Sequence, residues 1–201
     1  MSSNVRFRYF LASRPGPASL CVLAPLRDAT GQGGRRIKAE HLHLTWFVIA
    51  ETEQRDPFIL PRVEAAMTGM SLASGYLWLG RVRGGSKGAA VHSRGGKPDI
   101  LRLYRDLAAR MRERGLPPLH RASGFDPHVT LGYDSCTFPP FTILHEWIPD
   151  SIMLIESEVG RRTHNVLASW PLPSPRQGFL PFSSHEPERL RHIGSRHGHG
   201  S

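Results

Sequence analysis

Two short apolar runs, far apart in the chain, carry the same inner pattern: His43-Leu44-Thr45 within His41–Ala50, and His128-Val129-Thr130 within Phe125–Tyr133. Each alternates polar and apolar residues as a half-buried strand does. Successive side chains on a strand point to opposite faces, so His43 and Thr45 share one face while Leu44 and Trp46 turn to the other. By the same rule Val129 and Leu131 back His128 and Thr130. His41 extends the first polar face by one step. A chain that buries both apolar sides in one core has to present two imidazole–hydroxyl faces.

Two such faces across a cleft supply a general acid, a general base and two hydroxyl donors. In-line displacement at phosphorus needs a base on the attacking oxygen and an acid on the leaving oxygen, on opposite sides. Histidine, with a reference pKa near 6.5, can take either part around neutral pH. The threonine hydroxyls suit the non-bridging oxygens on which charge builds. We read His128 as the base and His43 as the acid. The set needs no metal and no cofactor, since side chains provide every function. Two other readings use the same residues. One is a module that holds an RNA end without turning it over. The least favoured is a zinc site on His41, His43 and His128.

The chain has 201 residues, enough for one domain with a real core. Lysine and arginine number 26 against 17 acids, a net charge of +9. A body that basic attracts polyanions, which points to a nucleic-acid partner. The last stretch, 173–201, holds four arginines and two glutamates, so most of the excess charge stays on the body. No unbroken apolar run approaches the ~20 residues of a membrane span, and Met1–Arg8 lacks a signal-peptide core. Cys21 and Cys136 fit no metal spacing and read as free thiols. A cytoplasmic, monomeric protein is expected.

Along the chain, the patterns predict a strand over Val5–Ala12 and a helix over Ala18–Thr30. Pro25 must kink that helix or mark its true start. Arg35, Arg36 and Lys38 then lead into the first motif strand, placed to meet phosphate at a cleft mouth. Asp56 and Pro57 open a helix reaching Met67. Tyr76–Gly80 is a strand, and the glycines of 83–88 make a hairpin turn into a return strand, Ala89–His92. This turn is not a phosphate loop, because Lys87 lacks the required position and no Ser or Thr follows it. Lys87, Arg94 and Lys97 form a basic loop able to follow an RNA backbone. Pro98–Arg114 carries Ile100, Leu101, Tyr104, Leu107, Ala108 and Met111 at helical spacing, with Gly115 as its stop. Strands follow over Phe141–Trp147, Ile152–Ser157 and Asn165–Trp170. Each half therefore runs strand, helix, glycine stop, loop and His-x-Thr strand. This weak repeat predicts an α+β fold of two similar lobes, each an antiparallel sheet with outer helices, around a central cleft. Residues 1–172 form that domain, and 173–201 is expected to be a disordered basic, histidine-containing tail.

The paired motifs resemble those of the 2H phosphoesterases, and more specifically the bacterial RNA 2′,3′-cyclic phosphodiesterases, also called the 2′-5′ RNA ligase family. The likeness spans roughly residues 6–172. It includes the opening strand Arg8–Ser13, the approach Phe125–His128, and the closing run Leu154–Gly160 that leads to Trp170–Leu172. The chain departs from the family at Phe47 and Gly132, each two residues after a motif threonine, and at His164, where a tyrosine is frequent. The resemblance implies hydrolysis of a terminal 2′,3′-cyclic phosphate to a 2′-phosphomonoester, with joining of RNA ends as the reverse use of the same site. It implies catalysis by His43, His128, Thr45 and Thr130. Substrate contacts are then expected from His41, Phe47, Arg35, Lys87, Arg94 and His164.

Overall fold

A computed structural model describes residues 6–30, 35–119, 124–161 and 163–175. Its organising strand is β1 (Phe7–Ser13), buried at every position but Arg8. Such two-sided burial marks a central strand, and β1 lies between β3 (Leu44–Thr52) and β8 (Ser151–Glu158), with β9 (Thr163–Pro171) outside β8. These four strands make the first lobe. The second comprises β4 (Leu77–Gly85), β5 (Gly88–Ser93), β6 (His128–Tyr133) and β7 (Phe141–Trp147), in the order β7-β4-β5-β6. All pairings are antiparallel.

The lobes meet where β3 touches β6, through the single pair Leu44–Val129. A short strand, β2 (Arg35–Arg36), continues that edge of β6 by pairing with Tyr133 and Gly132. The sequence pattern contains no cue for β2, since two residues are too few to show a period. Gly88 fixes the far side of β6. It holds φ +134°, and a Cβ there would lie 2.2 Å from the Gly132 carbonyl, so only glycine lets β5 and β6 close.

Among the described residues, three α-helices cover the sheet. Helix α1 (Pro17–Thr30) follows β1 in sequence yet packs on β6 and β7 of the other lobe. Helix α3 (Pro98–Glu113) lies against α2 (Ile59–Met67), and its Tyr104 meets the edge of Phe47 on β3. Helix α1, which connects strands of the first lobe, thus covers the second, and α3, which connects strands of the second, reaches β3 of the first, so the lobes share one core. Leu11, Leu23, Leu44, Leu79, Leu107, Val129 and Leu131 are all fully buried in it. Pro25 sits inside α1 without ending it. Cys21, whose carbonyl would have received the missing bond, lies with Pro25 on the exposed face, where water can serve it. No helix among the described residues is long and apolar enough to cross a membrane. Most of the expected tail, from residue 176 onward, lies outside the described residues.

Candidate active site

The seam between the lobes carries the two motifs. Antiparallel partners share a face, so Leu44 and Val129 point together into the core. One step along the register in each direction sets His43 opposite Thr130 and Thr45 opposite His128. The four polar side chains occupy the corners of one patch, with the imidazoles on a diagonal. Diagonal positions on neighbouring strands stand about 7–8 Å apart. A phosphorus atom between them would have a nitrogen on either side and a hydroxyl beside each nitrogen.

A matching irregularity follows each threonine. On β3, Thr45 pairs with Ala12 and Phe47 with Leu11, which leaves Trp46 as an extra residue. On β6, Thr130 pairs with Ala90 and Gly132 with Ala89, which leaves Leu131 as the extra one. Each is a β-bulge, and a bulge shifts the alternation by one. Trp46 and Phe47 consequently both turn to the core side. The Trp46 indole donates to Ser13 Oγ at 2.9 Å. Phe47 is only 6% exposed, beside Leu11 and Tyr104, and corrects the expectation that it meets substrate. Uniform alternation fails there because the bulge moves it off the face of Thr45.

Both motif imidazoles are oriented in the same way. His43 Nδ1 lies 2.6 Å from the carbonyl of His41, and His128 Nδ1 lies 2.9 Å from the carbonyl of Asp126. A carbonyl can only accept, so Nδ1 carries the proton in each ring and Nε2 is the nitrogen left for chemistry. In both cases the carbonyl belongs to the residue two positions earlier, so the geometry comes from the strand entry itself.

Around His43 the site is crowded and cationic. Its ring packs 5.1 Å from Phe10 and meets His164 edge-on at 5.3 Å, while His164 stacks on His41 at 4.4 Å. Burial drives the His43 pKa down to about 4, with Arg14, His41 and His128 adding to the fall. His164 is pushed down to about 3, again by burial first and then by His43, His41 and Arg14. His41 is lowered too, chiefly by burial. With only the protein's own groups around them, these rings are neutral at pH 7. His128 has different company. The ring of His92, its partner in register on β5, stacks on it at 5.3 Å. His92 Nδ1 donates to Asp126 Oδ2 at 2.8 Å, and Lys97 stands 3.7 Å from the other oxygen of that carboxylate. Burial raises the Asp126 pKa, but His92, Lys97 and His128 outweigh it and hold the carboxylate below its ordinary value.

A cavity of about 230 Å³ adjoins the His43 side. Its walls come from both lobes: Arg36, Lys38 and Tyr133 on one side, Arg8, Ser157 and His164 on the other, with His41 between. His41 and His164 therefore border both the cavity and the histidine cluster. Arg35 pairs through its backbone with Tyr133, and its side chain lies outside the described residues. Lys87 is exposed at the tip of the β4–β5 hairpin. Arg94 is exposed just after β5, its stem lying against Gly80. Neither lines the cavity. Among the described residues, no group of three or more His, Cys, Asp or Glu is arranged to hold a metal ion. Sequence reasoning missed Arg14, Phe10, His92 and Asp126. Phe10 and Arg14 had a signal, the period-two alternation of β1. The place of His92 depends on cross-strand register, which no local pattern reveals.

No protein-family model and no curated protein matches the chain. Solved structures do. The protein TT0787 of Thermus thermophilus superposes with a TM-score of 0.68 at 20% identity, over 83% of this chain and 98% of that one. A protein described as a phosphoesterase gives 0.67 at 21%, over 84% and 99%. Escherichia coli LigT in its apo form gives 0.66 at 19%, over 84% and 99%. The chain has the fold of these proteins along almost their whole length.

Proposed function

We propose that the chain is a 2H phosphoesterase that opens the 2′,3′-cyclic phosphate at an RNA end to leave a 2′-phosphomonoester, without a metal. The observation that carries this reading is the seam register, which sets His43 and His128 on a diagonal with a threonine beside each. The likeness to LigT supports it, since that protein has been crystallised with phosphate and with 3′-AMP on the same fold. The net charge of +9 favours a polyanionic substrate.

In this mechanism water attacks phosphorus from the His128 side and gives its proton to Nε2 of that ring. Thr45 and Thr130 hold the non-bridging oxygens as charge gathers on them. The P–O3′ bond breaks, and the O3′ oxygen takes a proton from Nε2 of His43. The phosphate stays on O2′, and the two rings exchange their proton through solvent to reset. Burial disfavours a second proton on His43 in the free protein, and the substrate's anionic phosphate supplies the charge that stabilises it there. A 5′-hydroxyl in place of water would give a 2′-5′ linkage by the same proton transfers, which is the ligase use of the site. The test is a short oligonucleotide with a 2′,3′-cyclic end, incubated in chelator and followed by ³¹P NMR. Appearance of a 2′-phosphomonoester is expected. Tight binding without turnover would sink the enzyme reading and leave an RNA-end-binding module.

A further inference from the structure

Arg14 is a cation with no counter-ion in contact among the described residues. It follows β1 and precedes Pro15, which biases it towards extended backbone and carries the strand's alternation one step further. Ser13 faces the core, donating to the Ser151 carbonyl and accepting from Trp46. Arg14 accordingly turns to the opposite side, the side of Phe10, Ala12 and His43. There its charge acts on His43, His41 and His164. Its Nε and Nη2 atoms are buried and have no hydrogen-bond partner among the described residues, and the same is true of His164 Nδ1. The acid whose charge reaches Arg14, Glu40, is exposed and pairs with Lys38 at 3.8 Å.

A guanidinium stays charged even when buried, so leaving one edge bare is costly unless something completes it. Nε and one Nη form the side-on fork that matches two oxygens of a phosphate. We propose that Arg14, with Nδ1 of His164 beside it, is an anion seat that grips phosphoryl oxygens of the bound RNA end next to His43. This rests on the reading of the cleft as a phosphate site, and adds to it an element outside both His-x-Thr motifs. His164, half-buried with nothing holding its Nδ1 among the described residues, also lines the cavity, the side from which the anion would reach the seat.

The experiment is calorimetric titration of the full chain with inorganic phosphate, independent of any turnover. Arg14→Met should weaken phosphate roughly tenfold to hundredfold, as expected for losing charge-assisted hydrogen bonds. Arg14→Lys, which keeps the charge but not the fork, should recover only part of the loss. Arg105→Gln removes the same charge from the exposed face of α3 and should change nothing. Acetate should bind far more weakly than phosphate to the wild type. Melting in phosphate-free buffer separates this role from a packing role: Arg14→Met should hold or raise the melting temperature, because an unpaired buried charge is gone. Unchanged phosphate affinity in Arg14→Met, or a fall in stability alone, would overturn the proposal. A wild type that binds phosphate through Arg14 yet turns over no cyclic phosphate would retain the seat and discard only the proposed reaction.

Discussion

Filling the cleft with phosphate should restore a proton to His43. In the free protein burial holds its pKa near 4 instead of 6.5. That drop is worth about 3.4 kcal/mol against charging the ring. A phosphate anion about 4 Å away, at an effective dielectric of about 20, returns ~4 kcal/mol, or about three pKa units. The two effects are of similar size, so the bound anion is sufficient to bring His43 back to the neutral range. Titration of the histidine rings by ¹⁵N-resolved NMR, with and without saturating phosphate, reads this directly. The His43 signal should titrate near 4 alone and at least two units higher with phosphate. Equal values in both conditions would refute the use of His43 as a substrate-assisted acid. Stability should follow the same proton. Between about pH 4 and 6.5 the folded chain binds fewer protons at His43 than the unfolded chain. Its contribution is therefore whole above 6.5 and is lost as pH falls towards 4.

Four further outcomes test the remaining parts. His43→Ala and His128→Ala should each lower turnover by about two to four orders of magnitude while circular dichroism stays native, and near-wild-type rates in either would end the paired-histidine mechanism. Thr45→Val and Thr130→Val should cost about 10²-fold each, less than the histidines, in single-turnover assays. Chelator should leave the wild-type rate unchanged, and strong inhibition by it would revive a metal-dependent reaction. Replacing Arg35, Arg36, Lys87 and Arg94 with alanine should flatten the salt dependence of oligonucleotide binding by about 0.7 per lost phosphate contact. Turnover of a dinucleotide should persist, and an unchanged slope would leave these loops without a part in binding.

What was legible in the sequence was whatever a period of two or 3.6 can write. The α3 stripe from Ile100 to Met111, the β4–β5 hairpin and both motif strands follow from local patterns, and they appear within a few residues of where the patterns put them. Register is different, because it is set by partners far away in sequence. The bulge on β3 that hides Phe47 in the core has a counterpart on β6, and both are read from the pairing with a neighbouring strand. Reading Phe47 as a site residue rested on its place two residues after Thr45, and a bulge, a device common beside functional patches, moves that place off the face of the threonine. Charge shows the same division. Counting residues gives +9 but cannot say which cation lacks a partner. Arg8 finds an acid in Glu51, and Arg110 finds the Ala66 carbonyl. Arg14 differs because Pro15 keeps it extended at the end of a central strand, among imidazoles that cannot neutralise it. On the proposed reading, the basic composition would draw an RNA towards the surface, and the unsatisfied guanidinium edge of Arg14 would seat its phosphate beside His43.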